Sequence, residues 1–136
     1  MSLHISIVSP ERELFAGEAD QISMTTQEGD ITVLTGHVPL VTLLKAGEVL
    51  VKQKGETIPM VVSGGFAHIE PDRVVVLADT AERVEEIILE RAQAAHDRAQ
   101  EFLTREGVDE REYAAMAAKL QKELARLKVV RKYRRG

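Results

Sequence analysis

The sequence has no cysteine, and aromatic residues make up only 4% of its 136 positions. Without cysteine the chain cannot form disulfides, use a thiolate nucleophile or build a cysteine-ligated zinc or iron–sulfur centre. No apolar run approaches the roughly 20 residues that a transmembrane helix requires. The first residues, MSLHISIVSP, lack the basic region and long apolar run of a signal peptide. We therefore expect no direct membrane insertion, so any membrane connection runs through a partner.

Catalytic motifs are also missing. The sequence has no GxGxxG, P-loop or GxSxG pattern. Its four histidines have neither relay spacing nor zinc-ligand spacing: His4, His37, His68 and His96. The pair Gly64-Gly65 lacks the following helix that a phosphate cradle needs, so it predicts a tight bend between strands. The sequence indicates a protein that does not act as an enzyme alone, with no metal.

Charge is unevenly distributed along the chain. Residues 1–79 contain 5 Lys and Arg against 11 Asp and Glu, a net of -6, whereas residues 80–136 contain 13 against 11, a net of +2. From Lys119 onward there are 8 basic residues, ending in Arg134 and Arg135, and one acidic residue, Glu123. This asymmetry indicates either a charged partner for the tail or a solvated helix end whose cations complement the helix dipole.

The first half of the chain reads as short strands. Apolar runs recur roughly every 8–12 residues, the rhythm of an all-β sandwich or barrel. These runs are HISIVS, ADQISMTT, DITVL, PLVTLL, EVLVKQ, IPMVVS, FAHIE and RVVVLA. Turn residues such as Gly29, Gly55 and Pro71 separate them. Pro59 lies inside a run, which predicts that this strand lies at a sheet edge or begins there.

From Asp79 the apolar period changes to three and four residues, which predicts two helices. Asp79, or a residue slightly later, is the expected start of the first helix, and Gly107 the expected stop. Asp109 with Glu112 predicts the cap of a second helix, from about residue 110 to 133 and on the order of 35 Å long. Its predicted apolar stripe is Tyr113, Met116, Ala117, Leu120, Leu124 and Leu127. Alanine-rich contacts bury little area, so the hairpin should either dock or open.

Three segments in this order resemble the epsilon subunit of the F-type ATP synthase, of the bacterial and chloroplast type. They are GDITVLTGHVPLV, SGGFAHIEPDRVVVLAD and the Arg91-Ala92 pair, and the resemblance covers essentially the whole chain. It implies an N-terminal β-sandwich of about ten strands, residues 1–82. A C-terminal antiparallel two-helix hairpin, residues 83–136, would follow.

The resemblance also implies a function and partners. The chain would be a non-catalytic rotor subunit of the central stalk, at the cytoplasmic face of the bacterial plasma membrane, coupling proton flow to ATP synthesis. The sandwich would bind the gamma subunit and the ring of c subunits, with Gly36, His37, Val38 and Pro39 as the c-ring loop. The hairpin would inhibit ATP hydrolysis by extending toward the beta and alpha subunits. The basic residues able to do so are Lys119, Lys122, Arg126, Lys128, Arg131 and Lys132.

Some bacterial members of this family bind regulatory ATP in the folded hairpin through an Ile/Leu-Asp-x-x-Arg-Ala motif. Ile87, Arg91 and Ala92 match that motif, and Lys122 and Arg126 stand where basic partners on the second helix would be wanted. The aspartate position holds Ile88, which cannot accept the hydrogen bonds of a carboxylate. We therefore expect ATP binding to be lost or weak, with Ile88 packed against the second helix. No other cofactor is implied.

Two alternative functions are an ATP-sensing helical regulator and a nucleic-acid-binding module that uses the basic C-terminus. The missing aspartate argues against the first. The acidic body, the 4% of aromatic residues and the lack of a basic groove argue against the second.

Overall fold

The computed structural model describes residues 2–133, which form a β-sandwich followed by two helices. The strands are β1 Leu3–Val8, β2 Glu13–Ala19, β3 Gln21–Thr26, β4 Gly29–Val33, β5 Leu40–Gln53, β6 Glu56–Val62, β7 Gly65–Ile69, β8 Arg73–Ala78 and β9 Ala81–Arg83. A 3-10 turn covers Val84–Glu86, and the helices are α1 Leu89–Leu103 and α2 Glu110–Tyr133. The predicted class, an all-β sandwich followed by a helical hairpin, is confirmed, with nine strands in the described residues.

One long strand makes the sheet curl on itself. The strand order is β2-β1-β8-β7-β5-β3-β4, and β6 and β9 continue from β5. Strand β5 pairs with β7 over residues 40–44 and with β6 over residues 47–53, so it belongs to both layers. The runs PLVTLL and EVLVKQ, expected as two strands, are therefore one bent strand. At the bend, a Cβ added to Gly47 would lie 3.2 Å from the side chain of Thr25, which leaves little space for a side chain.

The sandwich core follows from alternation along each strand. In β1, for example, Leu3, Ile5 and Ile7 are fully buried, whereas His4 faces solvent. Pro59 lies in β6 and pairs only with β5, because β9 reaches only residues 60–62. The predicted edge position of this proline is thus confirmed.

The start of the first helix was predicted too early. Strand β9 pairs with residues 60–62 and the 3-10 turn follows it, so α1 begins only at Leu89. Pairing across the sheet outweighs the helical period there. The first helix also ends earlier than the expected stop at Gly107, since α1 ends at Leu103 with Thr104 as its C-cap. The predicted cap of α2 is confirmed. Gly107 has φ +80 in the turn, and Asp109 Oδ1 accepts the backbone N–H of Glu112 at 2.8 Å.

The hairpin is docked on the sandwich through a second apolar cluster. Its buried members are Val61, Val84, Ile87, Ala92, Leu127, Val129 and Val130. Val61 points away from the sandwich core, which contains its neighbours Met60 and Val62. The stripe predicted for α2 is wrong at Tyr113 and Leu124, which are exposed. The helix buries its C-terminal half, where it meets both β6 and the segment leading into α1.

Candidate functional site

The loop between β4 and β5 projects from one end of the sandwich. Gly36 has φ +89, a conformation that favours glycine, and its N–H donates to the carbonyl of Pro71 at 2.6 Å. His37 Nδ1 lies 2.7 Å from the carbonyl oxygen of Val38. The Val38 side chain is 74% exposed although it is apolar. The loop therefore presents an apolar tip, and the c-ring contact assigned to residues 36–39 remains a prediction.

An apolar face on the outer surface of the sandwich continues from this loop. It consists of Val41 and Leu43 of β5, Phe66 of β7 and Leu77 of β8, each between 40% and 65% exposed. Leu43 pairs with Phe66, and Phe66 with Leu77, so three of the four form one row across the sheet. Exposed apolar groups in a contiguous row are typical of an interaction surface.

This apolar face was not among the sequence predictions. The signal was the run PLVTLL, which is apolar at adjacent positions instead of alternating. A strand with two apolar faces needs cover on both sides. The face also borders a cleft of about 720 Å3, whose other wall includes Ala118 and Gln121 of α2. A partner on this face would consequently lie beside the docked helix.

The basic residues of α2 divide into paired and unpaired side chains. Arg126 is partly buried, with 16% of its side chain exposed. Its Nε donates to Glu82 Oε2 at 2.8 Å and its Nη1 to Glu123 Oε2 at 2.6 Å. Burial disfavours the charged guanidinium, but the carboxylates outweigh burial and raise the pKa of Arg126 above its ordinary value. Arg126 is thus already saturated with internal anions.

Two further cations hold the end of α2. Lys132 Nζ donates to Glu48 Oε1 at 2.9 Å, and this hydrogen bond raises the pKa of Lys132. Arg131 Nη2 donates to Gln93 Oε1 of α1 at 2.9 Å. Both links tie the helix end to its surroundings.

The remaining three lysines lie in a different environment. Lys119 and Lys128 are exposed and Lys122 is half-buried, and within residues 2–133 none of the three forms an ion pair. Arg134 and Arg135, which also belong to the basic tail, lie outside the described residues.

The positions that match the ATP motif are dispersed. Ile87 and Ala92 are buried in the docking cluster, Arg91 is exposed, and Arg126 is occupied by carboxylates. The expectation that Ile88 packs against the second helix is wrong, since its side chain is 47% exposed. Ile88 is instead the N-cap residue of α1 and makes no side-chain capping hydrogen bond. An aspartate here would cap the helix as well as complete the motif.

In the part of the chain that the structure describes, the histidines and acidic residues do not cluster into a metal site. Between residues 2 and 133, no group of three or more His, Cys, Asp or Glu side chains could hold a metal ion. The shortest contact between a histidine and a carboxylate there joins His96 Nδ1 to Asp97 Oδ1 at 3.0 Å, and it lowers the pKa of Asp97. In the same range, no helix is both long and apolar enough to cross a bilayer.

A curled β-sandwich with an exposed apolar face and a docked basic hairpin defines an interaction module, and comparison with known proteins gives its family. Residues 2–84 match the family described as ATP synthase, Delta/Epsilon chain, beta-sandwich domain. The ATP synthase epsilon chain of Dehalococcoides mccartyi is 43% identical over 133 residues, 98% of this chain and 95% of that one. That of Geobacter sulfurreducens is 38% identical over 130 residues, 96% of this chain and 94% of that one. The chain therefore belongs to the ATP synthase delta/epsilon chain family.

Solved structures agree with this assignment. A chain of the Euglena gracilis mitochondrial ATP synthase, imaged with OSCP, F1 and the c-ring, aligns with a TM-score of 0.79 and 25% identity. The alignment covers 91% of this chain and 78% of that one. A chain of the Tetrahymena thermophila central stalk and c-ring has the same fold at a TM-score of 0.63 and 10% identity, covering 96% and 97%. The resemblance to the F-type epsilon subunit is confirmed, and with it the prediction of a rotor subunit of that enzyme.

Proposed function

We propose that this chain is a non-catalytic part of the central stalk, at the cytoplasmic face of the bacterial plasma membrane. The sandwich, residues 1–82, joins the rotor parts and helps to couple proton flow to ATP synthesis. The hairpin, residues 83–136, restrains ATP hydrolysis. The observation that carries this proposal is that the sandwich leaves the apolar face of Val41, Leu43, Phe66 and Leu77 in solvent while the hairpin docks beside it.

The apolar face is the surface that we assign to the gamma subunit. Contiguous exposed apolar side chains on a rigid sheet gain free energy when a partner covers them. A charge placed at Leu43 or Phe66 should block binding to gamma, because a carboxylate would have to be desolvated at the interface. We would measure binding of Leu43→Glu to purified gamma. Leu124→Glu is the matched control, since Leu124 is equally apolar and lies exposed on α2. Equal binding by both variants would contradict this assignment.

The loop of residues 36–39 is the surface that we assign to the c-ring. Its apolar tip, Val38, is stiffened by Pro39 on one side and by the Gly36 hydrogen bond on the other. A Val38→Asp variant should join the complex through gamma but couple proton flow to synthesis less well. Proton pumping driven by ATP in reconstituted vesicles would reveal the loss. Unchanged pumping would contradict the loop assignment.

The basic side of α2 is the surface that we assign to inhibition. When the hairpin leaves the sandwich, its cations can meet an acidic segment of the beta subunits, with the alpha subunits adjacent. The test is reconstitution with the other stalk and catalytic subunits. A chain ending at Glu86 keeps the sandwich core entire, since that core contains no residue beyond Ala81. Hydrolysis should be faster with this chain than with the full chain. Equal rates would mean that the hairpin has another purpose.

A further inference from the structure

We propose that five cations of α2 have two separate tasks in the inhibition described above, on which this inference rests. Arg126 and Lys132 are held cations, which keep the hairpin docked by pairing with Glu82 and Glu48 of the sandwich. Lys119, Lys122 and Lys128 are free lysines, which make the first contact with an acidic partner. The sandwich carboxylates act as an internal substitute for the carboxylates of that partner, so docking requires no bound nucleotide.

The contacts of Arg126 show how a sandwich carboxylate, Glu82, substitutes for a carboxylate of the partner. Glu82 belongs to β9, whereas Glu123 lies on α2 itself, one turn before Arg126. If α2 leaves the sandwich, Arg126 keeps Glu123 but loses Glu82, and the guanidinium then needs another carboxylate in place of Glu82. The docked arrangement buries Glu123, which is only 3% exposed, and undocking hydrates it again. A guanidinium bound to two carboxylates has little affinity left for a phosphate.

The Lys132 site is a second and weaker clamp. Its partner Glu48 lies on β5, and the Lys132 side chain is 54% exposed, so solvent screens the pair. The two held cations are six positions apart, about 9 Å along the helix axis. Leu127, Val129 and Val130 are buried between them. The ionic contacts therefore flank the apolar contact that closes the hairpin onto the sandwich.

The free lysines are placed to act earlier. They have no carboxylate partner within residues 2–133, so their charge is available while the hairpin is still docked. The exposed charges of Lys119 and Lys128, with the half-buried Lys122 on the same helix, raise the rate at which an oppositely charged surface is encountered. The free lysines contact the partner first. The held cations follow, and they exchange the sandwich carboxylates for those of the partner.

The test measures undocking in the full chain. Since the chain has no cysteine, Val61→Cys introduces a unique thiol beneath the hairpin, and its labelling rate follows the undocked population. The double variant Glu48→Gln with Glu82→Gln keeps every cation of α2. It should label roughly five- to thirtyfold faster. Glu18→Gln, which removes a carboxylate whose partners are Ser2 and His4 and not α2, is the matched control and should label at the parent rate. Equal rates in the double variant and the control would overturn the inference.

A second reporter distinguishes undocking from unfolding. Val76→Cys lies in the sandwich core, so it reacts only when the sandwich opens, and the glutamine substitutions should leave its labelling unchanged. Faster labelling at Val76→Cys by the same factor would show that the sandwich itself had been destabilised, and would also overturn the inference.

The functional part of the test separates the two groups of cations. Replacing the three free lysines by glutamine should weaken inhibition in the reconstituted enzyme at an unchanged Val61→Cys labelling rate. The double variant Glu48→Gln with Glu82→Gln should inhibit ATP hydrolysis more strongly than the parent chain. If the chain ending at Glu86 does not relieve inhibition, the proposed function fails. The labelling result still decides whether the held cations keep the hairpin docked. If the variant with the three free lysines replaced by glutamine labels at Val61→Cys as fast as Glu48→Gln with Glu82→Gln, the division of tasks is wrong.

Discussion

Replacing Leu127 by alanine should detach the hairpin and leave the sandwich folded. Leu127 is 3% exposed and is packed in the docking cluster, outside the sandwich core. Leucine-to-alanine changes in a core cost about 2–5 kcal/mol. We expect the lower part of that range, about 2–3 kcal/mol, because the docking cluster is small and opens to solvent as a unit. This corresponds to a rise of roughly 30- to 150-fold in the undocked population.

The assay is thiol labelling at Val61→Cys, with Leu124→Ala as the matched control. Leu124 lies on the same helix but is 42% exposed, so its truncation should change stability by less than about 0.5 kcal/mol. The thermal midpoint of the sandwich should stay the same in both variants. If Leu127→Ala and Leu124→Ala label at the same rate, the hairpin is not held by this cluster and the reasoning fails.

Three further predictions concern single positions. Ile88→Asp should stabilise α1 by about 1 kcal/mol through a new N-cap, seen as slower amide exchange, and unchanged exchange would contradict the N-cap assignment. Gly65→Ala should destabilise the sandwich by about 3 kcal/mol or more in denaturant unfolding, since its Cβ would lie 2.2 Å from the carbonyl oxygen of Leu77; a stable variant would refute this. Hydrogen bonds from Arg12 lower the pKa of Glu86. The thermal midpoint of the parent chain should therefore exceed that of Glu86→Gln above the ordinary glutamate pKa, and the difference should vanish as the pH falls through the lowered pKa of Glu86.

Local signals were sufficient for much of the fold. Alternating runs such as HISIVS predicted strands, because one face of each strand is buried. The Asp109 cap placed the start of α2 correctly, because capping involves only neighbouring residues. Strands β2 and β9 were missed. In β2, Leu14 and Phe15 are adjacent and both buried, which breaks the alternation, and β9 has only three residues.

The candidate site was less predictable, because its features depend on contacts between distant segments. The basic residues of α2 were identified from composition, but their division into held and free groups required the positions of Glu48 and Glu82. Glu123, which had been counted only as the single acid of the tail, is a buried partner of Arg126. The sequence predicts Ile88 as a packing residue, whereas the late start of α1 makes it an N-cap.

The most direct test of a hairpin that must leave the sandwich to inhibit is to prevent it from leaving. The absence of cysteine allows Glu48→Cys and Lys132→Cys to be joined by a short bis-maleimide, since their native side chains meet at 2.9 Å. Hydrolysis by the reconstituted enzyme is then compared before and after cross-linking of this same double variant. The cross-linked enzyme should hydrolyse ATP as fast as the enzyme carrying the chain that ends at Glu86. Inhibition that is unchanged by the cross-link would contradict the account.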